Sequence, residues 1–313
     1  MRRFAVVAVA LTTIALPAAP ARSACTWGVT ALAVPAGYAY VVAHGVAPVS
    51  PFVVGRAVRA DGSGSDAVVW QDGSPRVLPK PPIQGSGSNR ADAVNDQGVV
   101  AGVWRGTGSY ETAWRYRNGA YQTLPSLGGT QGFNLAAINS AGDIVGQAFA
   151  LFAYAGLLWR AATPGQYTNL GSSTHAVGID DSGRMVLNTR VIVNPDGSRI
   201  TLQRDVFMRT FGRGRILSED LGKDTIVEWN LSGQVVREFA GDYPHAVNTA
   251  GVLAAQPPGS VYVAVRYGSA WEQFSTAMTT TEGITDANVV VANYDHDGTT
   301  QTEQVGGVWR RAC

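Results

Sequence analysis

Lysine occurs in this chain only at Lys80 and Lys223, and no stretch concentrates charge of one sign. The balance of 24 Lys+Arg against 23 Asp+Glu gives a net charge of +1. Such a surface has no basic patch for a phosphate backbone and no polybasic stretch for an anionic lipid surface, so neither nucleic acid nor a membrane surface is an expected partner. Beyond the amino terminus there is no run of about 18 apolar residues, which leaves out a transmembrane helix. A sustained 3.6-residue apolar period is missing too, so helices are not expected. Gly-x-Ser-x-Gly, His-Glu-x-x-His and the phosphate loop are all absent, which removes the hydrolase, zinc-protease and nucleotide signatures. Cysteine is reduced to Cys25 and Cys313.

What is present begins with a leader. Residues 1–24 carry Arg2 and Arg3, a short apolar run from Phe4 to Leu16, and small residues in Ala19-Pro20-Ala21. This is the pattern of a cleaved secretory signal, followed by a single domain over 25–313. Removing it takes away two or three arginines, depending on whether Arg22 leaves, and turns the net charge slightly negative. Arg22-Ser23-Ala24 is a poor lipidation sequence before Cys25. In an oxidising compartment the two cysteines read as one disulfide, which requires the ends of the domain to meet.

The chain then repeats a phrase. Ala93-Val94-Asn95-Asp96-Gln97-Gly98-Val99-Val100-Ala101-Gly102 returns as Ala137-Ile138-Asn139-Ser140-Ala141-Gly142-Asp143-Ile144-Val145-Gly146. It returns again around Asp180 and Asn248, and in weaker form around Ala47, Thr285 and Phe211. Seven units of about 40 residues are the period of a four-stranded propeller blade. Each unit orders its parts alike: a small-residue strand, an anchor, a Gly turn, a Val-rich strand, and a third strand ending in Trp. Trp70, Trp114, Trp159, Trp229 and Trp309 are assigned to that column. Trp27, Trp104 and Trp271 fall outside it. Tight turns such as Asp72-Gly73 and Asn118-Gly119 follow, then a fourth strand ending in Leu.

The predicted fold class is therefore all-β, a seven-bladed propeller. The last unit stops after Trp309 without a fourth strand, while Val29 to Pro35 offers a spare one. The amino-terminal strand is thus expected to complete blade seven, and a Cys25–Cys313 bond would lock that closure.

The grammar of Ala-Val-Asn or Ala-Ile-Asn, Gly three residues on, Val-Val-Ala-Gly or Ile-Val-Gly, Trp, turn Gly and Leu resembles the bacterial extracellular HAF-repeat family. The resemblance covers most of residues 36–311 and departs at the His-Ala-Phe tripeptide, where no blade has His. It implies an exported repeat protein and supplies no catalytic residues.

Candidate chemistry lies three residues before each anchor, on the strand nearest the propeller axis. There the blades carry His44, Asp92, Ala136, Val177, Met208, His245 and Glu282 in turn. The four polar residues His44, Asp92, His245 and Glu282 belong to consecutive blades six, seven, one and two. Two imidazoles and two carboxylates at a channel mouth suit ligand binding, a divalent metal or acid–base work. They equally suit a hydrated channel lining. Asn293, Asp295 and Asp297 precede Gly298 with the alternate oxygens of a calcium turn, although the twelfth position is Gln304. The same segment is the expected hairpin of blade seven. The anchors Asn95, Asn139, Asp180 and Asn248 are expected to hold the turns that follow them.

These features point to a secreted, monomeric binding or interaction module for an extracellular glycan or protein, with no cofactor required. One alternative is a metal-assisted hydrolase or lyase working at the channel mouth. A second is a structural envelope protein without a small ligand.

Overall fold

The computed structural model describes residues 25–83, 85–106, 108, 110–151, 153–220, 222–274, 279–295 and 304–313. Residues 1–24, the expected leader, lie outside them. The described residues form seven four-stranded antiparallel sheets. Six blades are built from consecutive strands, with innermost strands Tyr38–Val46, Gly87–Val94, Gly132–Ile138, Ala176–Ile179, Phe207–Gly212 and Asp242–Val247. Blade seven starts with Thr279–Ile284 and takes its outermost strand from the other end of the chain. The units around Asp180 and Phe211 are both complete four-stranded blades.

In blade seven, Thr26–Ala31 pairs antiparallel with Gln304–Ala312, from Thr26 opposite Ala312 to Ala31 opposite Gly307. The strand therefore begins earlier than Val29. Val29 to Ala31 are in the ladder, Leu32 N–H still donates to the Gly306 carbonyl at 2.9 Å, and Ala33 to Pro35 lie beyond the paired residues. Cys25 and Cys313 are disulfide-bonded, with Cα atoms 4.3 Å apart across a separation of 288 residues.

A second clip crosses the same seam. The Asn293 carboxamide accepts from the Ala43 amide at 2.8 Å and donates to the Ala43 carbonyl at 2.9 Å. A side chain here mimics a paired strand between blades seven and one.

The anchors work as turn holders. Asn95 Oδ1 accepts from the amides of Gln97 and Val99, and Asn139, Asp180 and Asn248 accept from the amides four residues on. Their amide ends do more. Asn95 Nδ2 donates to the Asn139 carbonyl at 2.8 Å, Asn139 Nδ2 to the Asp180 carbonyl at 3.1 Å, and Asn248 Nδ2 to the Thr285 carbonyl at 3.1 Å. Each Asn thus ties its blade to the next. Asp180, a carboxylate, has no such donor.

Crowding near the axis explains the small residues of the inner strands. A Cβ added at Gly45 would lie 2.7 Å from the Asp92 carbonyl on the next blade. Further out, Trp70, Trp159, Trp229 and Trp309 stand opposite Val53, Ile144, Ile216 and Val290 of their second strands. Trp114 does not share that column. Tyr116 occupies it, opposite Val100, and Trp114 faces Gly102 two residues nearer the middle of the blade. A Cβ at Gly102 would sit 2.3 Å from the Trp114 ring and 2.2 Å from the Arg90 carbonyl, so only glycine accommodates that ring.

Two outcomes follow for stability. Gly102→Ala should lower unfolding free energy by about 1–3 kcal/mol in urea titration, the usual cost of overpacking. Replacing both cysteines with Ser should remove up to about 5 kcal/mol in the chain-entropy limit. An unchanged urea midpoint would show that strand pairing and the Asn293 clip hold the seam unaided.

Candidate functional site

A strand has a period of two, so a regular inner strand would send its side chains alternately into the two neighbouring blades. Here every inner strand is irregular. The register shifts at Ala43/Gly45, Ala91/Ala93, Leu135/Ala137, Ala176/Gly178, Met208/Thr210 and Thr281/Gly283. The extra residue is His44, Asp92, Ala136, Val177, Arg209 or Glu282. In blade six the irregularity is wider, with Tyr243 to His245 opposite Ala255 alone. A bulge re-aims a side chain. All seven, His245 included, line one cavity of about 590 Å³ at the channel mouth.

The bulge also accounts for the repeated glycine of the second strands. Gly55, Gly102 and Gly146 stand opposite Ala43, Ala91 and Leu135, the residues just before the bulges. A Cβ there would come within 2.0–2.4 Å of the Val42, Arg90 and Asn134 carbonyls. The glycine is the space into which the displaced backbone moves.

The four polar positions expected at the mouth are thus brought to one cavity, with Ala136 and Val177 as its apolar arc. The blade-five position is corrected. Met208 is buried in the core, and Arg209 is the bulged residue facing the channel. Gly212 stands where the anchor Asn would be, three residues after the bulge, so the alignment on Phe211 is off by one, and a one-residue slip exchanges the two faces.

Local electrostatics set the charge state. Burial pushes His44 down to about 4, with help from Arg56 and Arg90, so the imidazole is neutral at pH 7. Burial raises Asp92 to about 6 against the opposing Arg90, whose Nε lies 2.9 Å from Asp92 Oδ1. Glu282 is raised to about 7, mainly by burial, and the Asp92 charge adds to it. Asn293 Nδ2 donates to Glu282 Oε1 at 2.9 Å and opposes the rise. Burial and Arg209 lower His245. His44 Nε2 and Asp92 Oδ2 are buried on the cavity wall and have no partner among the described residues.

Among the described residues, no group of three or more His, Cys, Asp or Glu is arranged to hold a metal ion. The calcium turn fares differently at each position. Asn293 belongs to the strand Val290–Asp295, and its Oδ1 is taken by the Ala43 amide, so it serves the seam. Asp295 ends that strand, and Asp297 lies outside the described residues. Of the three Trp residues expected outside the column, Trp104 is buried, Trp27 is half-buried against Phe274, and Trp271 is half-buried against the cluster of Leu217, Ile226 and Leu253.

The chain matches no protein-family model and no curated protein sequence. Its fold is similar to that of solved propellers. A catalytically inactive virginiamycin B lyase from Staphylococcus aureus with quinupristin aligns with a TM-score of 0.58 at 12% identity, over 90% of this chain and 99% of that one. The Cps50 (Swd1) β-propeller domain of Myceliophteria thermophila gives 0.52 at 12% identity, over 86% and 98%. The AfRom2 CNH domain gives 0.51 at 11% identity, over 91% and 99%. At these identities the likeness is one of fold.

The raised Glu282 carries a signed pH prediction. Between about 4.5 and about 7 the folded chain keeps a proton on Glu282 that the unfolded chain has lost. Stability therefore falls as pH rises through that window. Glu282→Gln abolishes this contribution. Its unfolding free energy should exceed that of the parent at pH 8 by on the order of 3 kcal/mol more than it does at pH 4. Equal offsets at the two pH values would refute a buried, raised carboxyl.

Proposed function

We propose that this chain is a secreted propeller that binds a hydroxyl-rich ligand, a glycan end or a glycosylated cell surface, at its channel mouth. The carrying observation is that each blade turns one side chain toward the same cavity, where His44 Nε2 and Asp92 Oδ2 are buried without partners among the described residues. A neutral imidazole offers one donor and one acceptor, and carboxylates accept. Sugar hydroxyls do both, so they complement this wall without bringing charge into it. Export is supported by the Cys25–Cys313 bond, which suits an oxidising compartment, and by the leader-like sequence. The metal-assisted hydrolase or lyase reading draws no support from the ligand geometry of the mouth. The similarity to a lyase is one of fold, and fold alone does not transfer chemistry.

A thermal-shift screen of the mature protein tests the proposal, with neutral oligosaccharides, cell-wall fragments, calcium, zinc and manganese. A saccharide present at a hundred times its dissociation constant should stabilise the fold by about 2.7 kcal/mol. His44→Ala and Asp92→Asn should abolish that shift. Silence from every saccharide and fragment would overturn glycan binding and favour a protein partner or a structural role. A transition-metal shift lost in His44→Ala or His245→Ala would favour the hydrolase or lyase instead.

A further inference from the structure

Blade five is built unlike its neighbours at the mouth. Gly212 pairs directly with Arg215, so Arg213-Gly214 is a two-residue hairpin turn, and Arg213 adopts φ 53°. The other clear units use the longer anchor turn, closed by the amide–carbonyl pair of Asn95 with Val99 or its counterparts. The short turn carries Arg213 over the cavity, toward blades two and seven. Its Nη2 lies 3.4 Å from Asp96 Oδ2, and its Nε lies 3.8 Å from Asp286 Oδ2.

Both contacts are long. The carboxylates they reach are already engaged: Asp96 Oδ1 accepts from the amides of Val49 and Ser50, and Asp286 accepts from the amide and hydroxyl of Thr249. Arg213 Nε is buried without a hydrogen bond among the described residues. A guanidinium with five N–H donors is left here with a single hydrogen bond at 3.4 Å among the described residues.

Arg209 lines the same cavity from the same blade. Its Nε donates to Glu219 Oε2 at 2.6 Å, and its guanidinium is flanked by the rings of Tyr243 at 5.0 Å and Phe207 at 5.9 Å. Its Nη groups make no hydrogen bond among the described residues. The acids on this side are occupied. Asp180 Oδ1 holds the amides of Ser182 and Arg184, and Asp181 Oδ1 holds the amide of Ser140. The cavity is therefore segregated. Unpartnered imidazole and carboxyl atoms, His44 Nε2 and Asp92 Oδ2, stand on blades one and two, and unused guanidinium donors stand on blade five, among the described residues.

Resting on the reading of the mouth as a saccharide site, we infer that blade five supplies an anion subsite, in which Arg213 takes a carboxylate, and that the ligand class is an acidic saccharide. A carboxylate accepts two parallel N–H bonds from one guanidinium. It would give Arg213 the short partner that Asp96 and Asp286 do not.

Isothermal titration with three trisaccharides of equal length tests this: trigalacturonate, neutral galactotriose and triglucosamine. Trigalacturonate should bind at least about tenfold more tightly than galactotriose, the scale of one charge-assisted hydrogen bond. Arg213→Asn should bring that ratio toward one. Asn suits the positive φ, and Asn-Gly is a favoured two-residue turn, so the hairpin survives the change. Equal binding of trigalacturonate and galactotriose would overturn the anion subsite and leave the saccharide reading standing. Preference for triglucosamine would overturn it in favour of a cation-selective mouth. An unchanged ratio in Arg213→Asn would remove Arg213 from the assignment. Failure of all three sugars to bind would overturn the saccharide reading, and the subsite with it.

Discussion

Seven strands cannot run side by side around a narrow axis and also present functional side chains into it. Regular alternation would direct those side chains into the adjoining blades, where the space is already filled. The bulge in each innermost strand resolves this conflict. One extra residue per blade turns out of the packing and into the channel, and the carbonyl two residues before it crowds the second strand. Glycine at 55, 102 and 146 leaves room for that carbonyl. Channel, cavity and candidate site all descend from this local irregularity, which is why one position per blade carries the chemistry while its neighbours carry the core.

The same ring geometry imposes closure. Six blades form from strands adjacent in sequence, whereas the seventh joins residues separated by almost the whole domain. Such a long-range pairing has a high loop-closure cost, and it is reinforced three ways: by the strand pairing, by the disulfide and by the Asn293 carboxamide spanning the seam. The Asn–carbonyl links between anchors add shorter ties along the rim. Blade five lacks an anchor side chain able to form them, and there the rim is crossed by Arg213 instead.

Burial gives the mouth its electrical character. It neutralises His44, raises Asp92 and Glu282, and leaves His44 Nε2 and Asp92 Oδ2 on the cavity wall without partners among the described residues. On the far side of the ring, blade five presents guanidinium groups that the local acids do not saturate. A wall of this kind matches a ligand rich in hydroxyls and carrying an acidic group better than it matches a bare metal ion. The solved propellers of similar fold say nothing against or for that chemistry, since a propeller is a frame on which sites vary blade by blade.

The sequence by itself determined the blade count, the turn-holding role of the anchors and the strand borrowed from the amino terminus, because each is local pattern repeated at a fixed period. It also placed His44, Asp92, His245 and Glu282 together, because an internal repeat converts equal offset into equal position on a ring. Three features came only from the tertiary structure. Arg209 replaced Met208 because the decisive bulge leaves no mark in a blade without an anchor Asn. Trp114 left the tryptophan column because Gly102 made space two residues inward, a matter of volume between strands. Asn293 became a clip to Ala43, 250 residues away, because ring closure brings together backbone groups that no spacing rule connects. Periodicity is written along the chain, but what fills the last gap between blades is decided by which surfaces meet.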